Sequence, residues 1–194
     1  MKRITGERFI EEITKDPSWC KNLKEPLEII TFIDIPKSPI THLSPLLTFS
    51  GKNNIGWVAN FTKCEKLEVA TGTFNGAVCF YKAGIKEIKN LLVTKTTNYG
   101  QSANFDGCKE LTTATGTFEG IVYFGRSGVT TIKNLIVKTS AHGIKAESTE
   151  CPIKYIPEEY RGEEYLFDDG TIENSILRDK TIEKIKSEAN NIEL

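Results

Sequence analysis

Ala59–Lys95 reads ANFTKCEKLEVATGTFNGAVCFYKAGIKEIKNLLVTK, and the pattern returns without a gap 44 residues later at Ala103–Thr139, as ANFDGCKELTTATGTFEGIVYFGRSGVTTIKNLIVKT. The motif A-T-G-T-F-x-G is intact in both copies, at Ala70–Gly76 and Ala114–Gly120. Recurrence at a fixed period indicates stacked copies of one unit, because each copy buries its apolar side against the next. The sequence therefore predicts a short solenoid.

Each 44-residue unit contains a weaker half-period. One half reads A-x-F-x-x-C-x-x-L and the other V-x-F-x-x-[AS]-G-[IV]-x-x-I-x-N-L. When this half-period pattern is extended toward both ends of the chain, it predicts about seven coils of about 22 residues. Each coil contributes one strand, and the strands stack into one parallel sheet. The residues expected to point inward are Ile33/Ile35, Trp57/Ala59, Val78/Phe80, Gln101/Ala103, Val122/Phe124, Ile144/Ala146 and Tyr165/Phe167. Gly84 and Gly128 follow two of these strands, and we expect them to hold backbone angles that side chains resist.

Two stretches, IDIPKSPITHLSPL (33–46) and VYFGRSGVTTIKNL (122–135), resemble the leucine-rich repeat pattern L-x-L-x-x-[NSC]-x-[IL]-x-x-[IL]-x-x-[IL]. The other half-period, F-x-x-C-x-x-L, resembles the cysteine-bearing BspA-like subclass of these repeats. The resemblance covers about residues 30–175. It implies a right-handed leucine-rich-repeat-like solenoid, α/β or mainly β.

The two ends of the chain differ in character from its centre. Residues 1–27 predict a helical cap that starts near Thr5 and ends at Asp16-Pro17, because the residue before proline leaves the helical region. Residues 28–175 form the predicted solenoid. Residues 176–194 predict an amphipathic helix that caps the last coil, and a coiled-coil partner is the less favoured alternative because the stripe is short.

Composition excludes several classes of function. The net charge of −1 gives no strong field for nucleic acid or an acidic membrane. No apolar run is long enough for a membrane span, and acidic residues interrupt the N-terminal stretch where a signal peptide needs its apolar region. We therefore expect a cytoplasmic protein, or a secreted effector without a conventional signal peptide.

Cysteine and histidine spacing argues against a metal site. Cys20, Cys64, Cys108 and Cys151 are separated by 44, 44 and 43 residues, which places them too far apart for disulfides or shared ligation. We interpret them as small buried apolar residues. No phosphate-binding loop or other cofactor motif is present, and turn geometry explains ATGTFNG and ATGTFEG better. We predict no metal and no cofactor.

The predicted sheet face offers the better candidate site. Outward positions carry tyrosines flanked by amides, which suit protein recognition because tyrosine supplies contact area at low entropic cost; ordinary strand propensity is the alternative explanation. Cys79 is a candidate reactive thiol without a nearby base. The predicted binding residues are Val58, Asn60, Cys79, Tyr81, Asn104, Ile121 and Tyr123.

Two functions remain open on the sequence alone. The first is a non-enzymatic module that binds an unknown protein partner through this face, such as an adaptor or a bacterial effector. The second is a β-solenoid protein that binds or cleaves polysaccharide with the carboxylates of the Glu158–Asp169 segment. His42 and His142 lie several coils apart in this scheme, so no catalytic residue is predicted.

Overall fold

The computed structural model of the chain describes residues 1–132 and 134–138, together with the backbone of two later strands, Ala146–Ser148 and Tyr165–Phe167. The predicted C-terminal helix at 176–194 lies outside the described residues, as do Cys151 and His142.

The described chain consists mainly of parallel strands in two seven-stranded sheets, with few helical residues. Sheet A, in spatial order, contains β1 Lys2–Ile4, β2 Leu27–Ile29, β4 Leu47–Phe49, β6 Val69–Phe74, β8 Glu87–Val93, β10 Gly116–Phe118 and β12 Leu135–Val137. Sheet B, in spatial order, contains β14 Tyr165–Phe167, β13 Ala146–Ser148, β11 Ile121–Tyr123, β9 Gln101–Asn104, β7 Ala77–Cys79, β5 Trp57–Asn60 and β3 Ile33–Asp34.

Parallel pairing is confirmed, but the prediction of a single sheet is wrong. From β2 to β13 successive strands alternate between sheets A and B. The A-T-G-T-F motif, which we expected in a turn, forms most of β6 and β10 instead. Its threonines and phenylalanine have high strand propensity, and its phenylalanine side chains are fully buried.

Strand register alternates between short and long steps. Ala59 pairs with Val78, Val78 with Ala103 and Ala103 with Val122, which are steps of 19, 25 and 19 residues. A short and a long step together make the 44-residue period, so the mean step is the predicted length of about 22 residues, although individual steps differ from it by about three. Long steps include the loops at 50–56 and 94–100, and short steps turn through two residues, Asn75-Gly76 and Glu119-Gly120.

Phenylalanine rings fill the space between the sheets. The rings of Phe61, Phe80, Phe105 and Phe124 stack in one column, with centroids 5.1–5.5 Å apart and interplanar angles of 8–14°. Phenylalanines of sheet A meet this column edge to face, as Phe74 does against Phe80 at 6.1 Å. Stacked and edge-to-face pairs both exceed the stabilisation expected from buried area alone.

Two bulges interrupt the strand alternation on which the inward pairs were predicted. The register of β5 shifts between Trp57 and Ala59, and that of β9 with β11 shifts between Ile121 and Val122, so Val58 and Ser102 are the inserted residues. Both inserted side chains are fully buried. Trp57 and Gln101, expected to point inward, are half-exposed instead. A bulge adds a residue without a partner, and the inward and outward positions beyond it are exchanged.

Gly84 and Gly128 are required by close approach and not by left-handed angles. A Cβ atom at Gly84 would lie 2.0 Å from the carbonyl oxygen of Glu65, and one at Gly128 would lie 2.2 Å from that of Lys109. The left-handed conformation falls two residues earlier, on Lys82 and Arg126. The expectation that these two glycines hold strained backbone angles is therefore wrong.

The N-terminal helix lies where the sequence predicts it. It spans Gly6–Lys15, with the Thr5 hydroxyl accepting a hydrogen bond from the backbone N–H of Arg8 and Asp16 at its C-terminal end. Phe9 and Ile13 are buried, and the Phe9 ring packs edge to face on Trp19 and Phe49. A 3-10 helix follows at Trp19–Asn22. The helix thereby extends the phenylalanine-filled core at the chain's N-terminal end.

Three cysteines are part of this core. Cys20, Cys64 and Cys108 are fully buried, which confirms their interpretation as interior residues. The Sγ atom of Cys64 donates to the carbonyl oxygen of Ile35 at 3.2 Å, and that of Cys108 to Phe80 at 3.1 Å. Burial raises the pKa of Cys64 to about 11 and the pKa values of Cys20 and Cys108 to about 12, so these thiols remain protonated at neutral pH.

We predict that Ser102→Ala stabilises the protein by about 1 kcal/mol. The buried Ser102 hydroxyl has no hydrogen-bond partner among the described residues, and the corresponding position one period earlier is the apolar Val58. Denaturant unfolding measures the change. Val58→Ser is the reciprocal variant and should destabilise, because it places a hydroxyl in the same setting. A lower stability for Ser102→Ala would show that the hydroxyl is satisfied, for example by a buried water.

We predict that iodoacetamide modifies Cys79 in the folded protein and leaves Cys20, Cys64 and Cys108 unmodified. Cys79 is half-buried, whereas the other three cysteines are fully buried and burial raises their pKa values. Peptide mapping by mass spectrometry identifies the labelled residues, and the same treatment in denaturant should also label Cys20, Cys64 and Cys108. Rapid labelling of Cys64 or Cys108 in the folded protein would contradict the burial of these two cysteines.

Candidate functional site

Four of the predicted binding residues lie side by side on sheet B. Strand pairing places Asn60 next to Cys79, Cys79 next to Asn104, and Asn104 next to Tyr123. Asp34 pairs with Asn60 and continues the same line at the sheet edge. We call these five residues the polar row. Neighbouring members are separated by one strand spacing, about 4.8 Å.

Hydrogen bonds hold the amide side chains of the polar row. The Asn60 Nδ2 donates to Asp34 Oδ1 at 2.7 Å, and Asn60 Oδ1 accepts from the backbone N–H and the hydroxyl of Thr62. The Asn104 Oδ1 accepts from the backbone N–H of Asp106 at 2.8 Å. These contacts fix the amide orientations before any ligand arrives, which lowers the entropic cost of binding.

The two tyrosines lie on the same side of the molecule, two strands apart. Tyr123 ends β11, and its hydroxyl accepts from Gln101 Nε2 at 3.5 Å. Tyr81 follows β7, and its carbonyl oxygen accepts from the backbone N–H of Lys63. The Lys82 amino group lies 5.0 Å from the centre of the Tyr81 ring, a cation–π contact. Both tyrosines are half-buried.

Val58 and Ile121 do not belong to an exposed site. Val58 is fully buried and Ile121 is 5% exposed. Val58 was placed outward by strict alternation, and the bulge in β5 turns it into the core. Trp57 takes up the exposed position instead, and sequence reasoning missed it. The sequence carries no signal for the inserted residue, because it is detected only from the pairing of β5 with β7.

A row of basic residues borders the polar row. Lys37, Lys63, Lys82 and Arg126 are exposed and have positive φ angles of 60°, 57°, 54° and 53°. Gly107, with φ of 72°, occupies the same position between Lys82 and Arg126. Backbone hydrogen bonds set this alignment, since Lys37 donates to Thr62, Lys63 to Tyr81, Lys82 to Asp106 and Gly107 to Gly125. We call the four cationic residues the basic row.

Asp106 places a carboxylate beside this basic row. Asp106 Oδ1 accepts from the backbone N–H of Gly125 at 2.6 Å. Burial raises the pKa of Asp106, and the Gly125 hydrogen bond and the nearby Arg126 charge oppose that rise. A negative charge at this point partly offsets the positive charge of Arg126.

No group of three His, Cys, Asp or Glu side chains is arranged to hold a metal ion within the part of the chain that the structure describes. His42 is half-buried, and its Nδ1 has no hydrogen-bond partner among those residues. The carboxylates of Glu158–Asp169, on which the polysaccharide hypothesis depends, lie outside the described residues.

Among the described residues, no helix is both long enough and apolar enough to cross a membrane. Comparisons with protein-family models, curated proteins and solved structures each find no match for this chain.

Proposed function

We propose that this chain is a non-enzymatic module that binds a protein partner through the outer face of sheet B. The observation that carries the proposal is the polar row, in which Asn60, Cys79, Asn104 and Tyr123 lie on four adjacent strands. The row itself contains the half-exposed Tyr123, and the half-exposed Trp57 and Tyr81 belong to β5 and to the residues after β7. Aromatic residues with fixed hydrogen-bonding groups between them are typical of protein interfaces.

The size of this face suits a small interface. Five neighbouring strands, from β3 to β11, extend for about 19 Å across the sheet. An area with that dimension lies toward the low end of specific interfaces, where affinity depends on a few anchoring side chains. In this proposal Tyr81 and Tyr123 are the anchors, and the amides set the orientation of the partner.

The proposed architecture is a solenoid similar to the BspA-like leucine-rich repeats. Its support is the alternation of parallel strands between sheets A and B, together with the 44-residue period in register. Stacked units of this type present one extended face, whose chemistry varies while the interior is kept constant. A binding module is therefore a function that this architecture serves well.

We place the module in the cytoplasm, or in a host cell as a delivered effector or adaptor. The support is the set of free cysteines, Cys20, Cys64, Cys79 and Cys108. Buried thiols that donate hydrogen bonds to carbonyl groups suit a reducing compartment, where disulfides rarely form.

We predict that Tyr81→Ala combined with Tyr123→Ala weakens partner binding about ten-fold or more and leaves folding intact. Neither ring belongs to the buried core, so the melting temperature should change little. Affinity capture from cells with quantitative mass spectrometry identifies candidate partners, and titration of the purified partner gives the dissociation constant for each variant.

The matched control removes two exposed apolar side chains on other surfaces, Ile30→Ala and Ile136→Ala. Partner binding should survive in this control. If the tyrosine variant and the native chain bind the partner equally well, the outer face of sheet B is not the binding face.

A further inference from the structure

The residues of the basic row have positive φ angles, a backbone conformation that lysine and arginine rarely adopt. They lie in the left-handed region, which costs an ordinary L-residue roughly 1–2 kcal/mol and is best tolerated by glycine and asparagine. Four of the five aligned positions nevertheless carry lysine or arginine: Lys37, Lys63, Lys82 and Arg126.

The rest of the described chain supplies an internal control. Every other positive-φ position there is glycine or asparagine: Gly56, Gly72, Gly100, Gly116, Asn90 and Asn134. At positive-φ positions outside the basic row, the sequence therefore uses the two residue types that tolerate this backbone conformation best. The basic side chains beside sheet B therefore require another explanation.

The ion pairs found among the described residues do not supply that explanation. The ion pairs among the described residues use other cations: Arg3, Arg8, Lys86, Lys89 and Lys138. Lysines on neighbouring strands are about 4.8 Å apart at the backbone, so their charges repel one another. Lys82 also contacts the Tyr81 ring, and Arg126 lies near the Asp106 carboxylate, so two of the four charges are partly compensated. Repulsion within the rest of the row would be relieved by an anionic ligand.

We propose that the basic row binds an acidic segment of a protein partner. The inference rests on the proposed function, because the row borders the same face of sheet B that carries Tyr81 and Tyr123. Carboxylates along one side of the segment would contact Lys37, Lys63, Lys82 and Arg126, and its other side chains would face the tyrosines and amides. Long lysine side chains can adapt to carboxylates that are not spaced as the strands are.

A phosphate polymer is the less favoured ligand. The row is one residue wide, the chain's net charge is −1, and Asp34 and Asp106 lie on the side toward the sheet. A densely charged backbone laid along the row would meet both carboxylates, whereas nucleic-acid sites present broad basic surfaces. A protein segment can place apolar or amide groups at those two positions.

The test measures binding of fluorescent poly-L-glutamate to the full chain by anisotropy at low ionic strength. The variant replaces Lys37, Lys63, Lys82 and Arg126 with asparagine, which removes the charges and suits the backbone conformation. The matched control replaces four other exposed lysines with asparagine: Lys21, Lys24, Lys52 and Lys95. We expect about ten-fold or more loss of affinity in the row variant only, and weaker binding by the native chain as salt is added.

Absence of poly-L-glutamate binding by the native chain, or equal binding by the row and control variants, would overturn the proposal. Stronger competition by polyphosphate or by polygalacturonate than by unlabelled poly-L-glutamate, at equal charge, would overturn the assignment to a protein segment. If the four-residue variant does not fold, Lys63→Asn with Lys82→Asn tests the same charges at the centre of the row.

The outcomes also separate this inference from the proposed function. The tyrosine variant retains the basic row, so it should bind poly-L-glutamate normally while losing the protein partner. If the tyrosine variant loses the protein partner but the native chain does not bind poly-L-glutamate, the acidic segment is rejected and the binding face is retained. If poly-L-glutamate binding depends on the basic row but the tyrosine variant still binds the protein partner, the proposed binding face is rejected and the anion site is retained.

Discussion

The arrangement of side chains on the surface of this protein depends on the register between neighbouring parallel strands. Stacked phenylalanine rings in the interior help to maintain that register. The column Phe61, Phe80, Phe105 and Phe124 keeps one ring over the next with nearly parallel planes. A slip of one residue in any strand would exchange its core and solvent sides and remove a large ring from the column. The interior therefore fixes which residues become neighbours outside.

The interior was largely predictable from the sequence, because burial leaves a strong periodic pattern. The recurring motif identified Ala59, Val78, Phe80 and Phe124 as core residues, and all four are fully buried. Parallel pairing and the N-terminal helix from Thr5 to Asp16 followed from the same kind of reasoning. The second sheet was missed because ATGTF contains a glycine and few large apolar residues, which resembles a turn.

The candidate site was predicted less well, because its residues depend on where alternation breaks. Asn60, Cys79, Asn104 and Tyr123, all predicted to face outward, do share one row. Val58 was misplaced because an inserted residue leaves no local mark: valine suits a core strand and a bulge alike. Only the pairing of whole strands reveals that β5 contains one residue more than its neighbour.

The basic row illustrates how such a fold separates stability from recognition. In the described part of sheet B, a left-handed residue follows three positions after the end of each of the strands β3, β5, β7, β9 and β11. Backbone hydrogen bonds to the next coil fix this position at Lys37, Lys63, Lys82 and Gly107, whatever the side chain is. Gly107 has the same backbone conformation as Lys82 and Arg126, so the lysine and arginine charges are not needed to form the turn. Because their charges repel, the turns would be more stable with asparagine. We therefore propose selection for binding as the reason for an ordered line of cations beside Tyr81 and Tyr123.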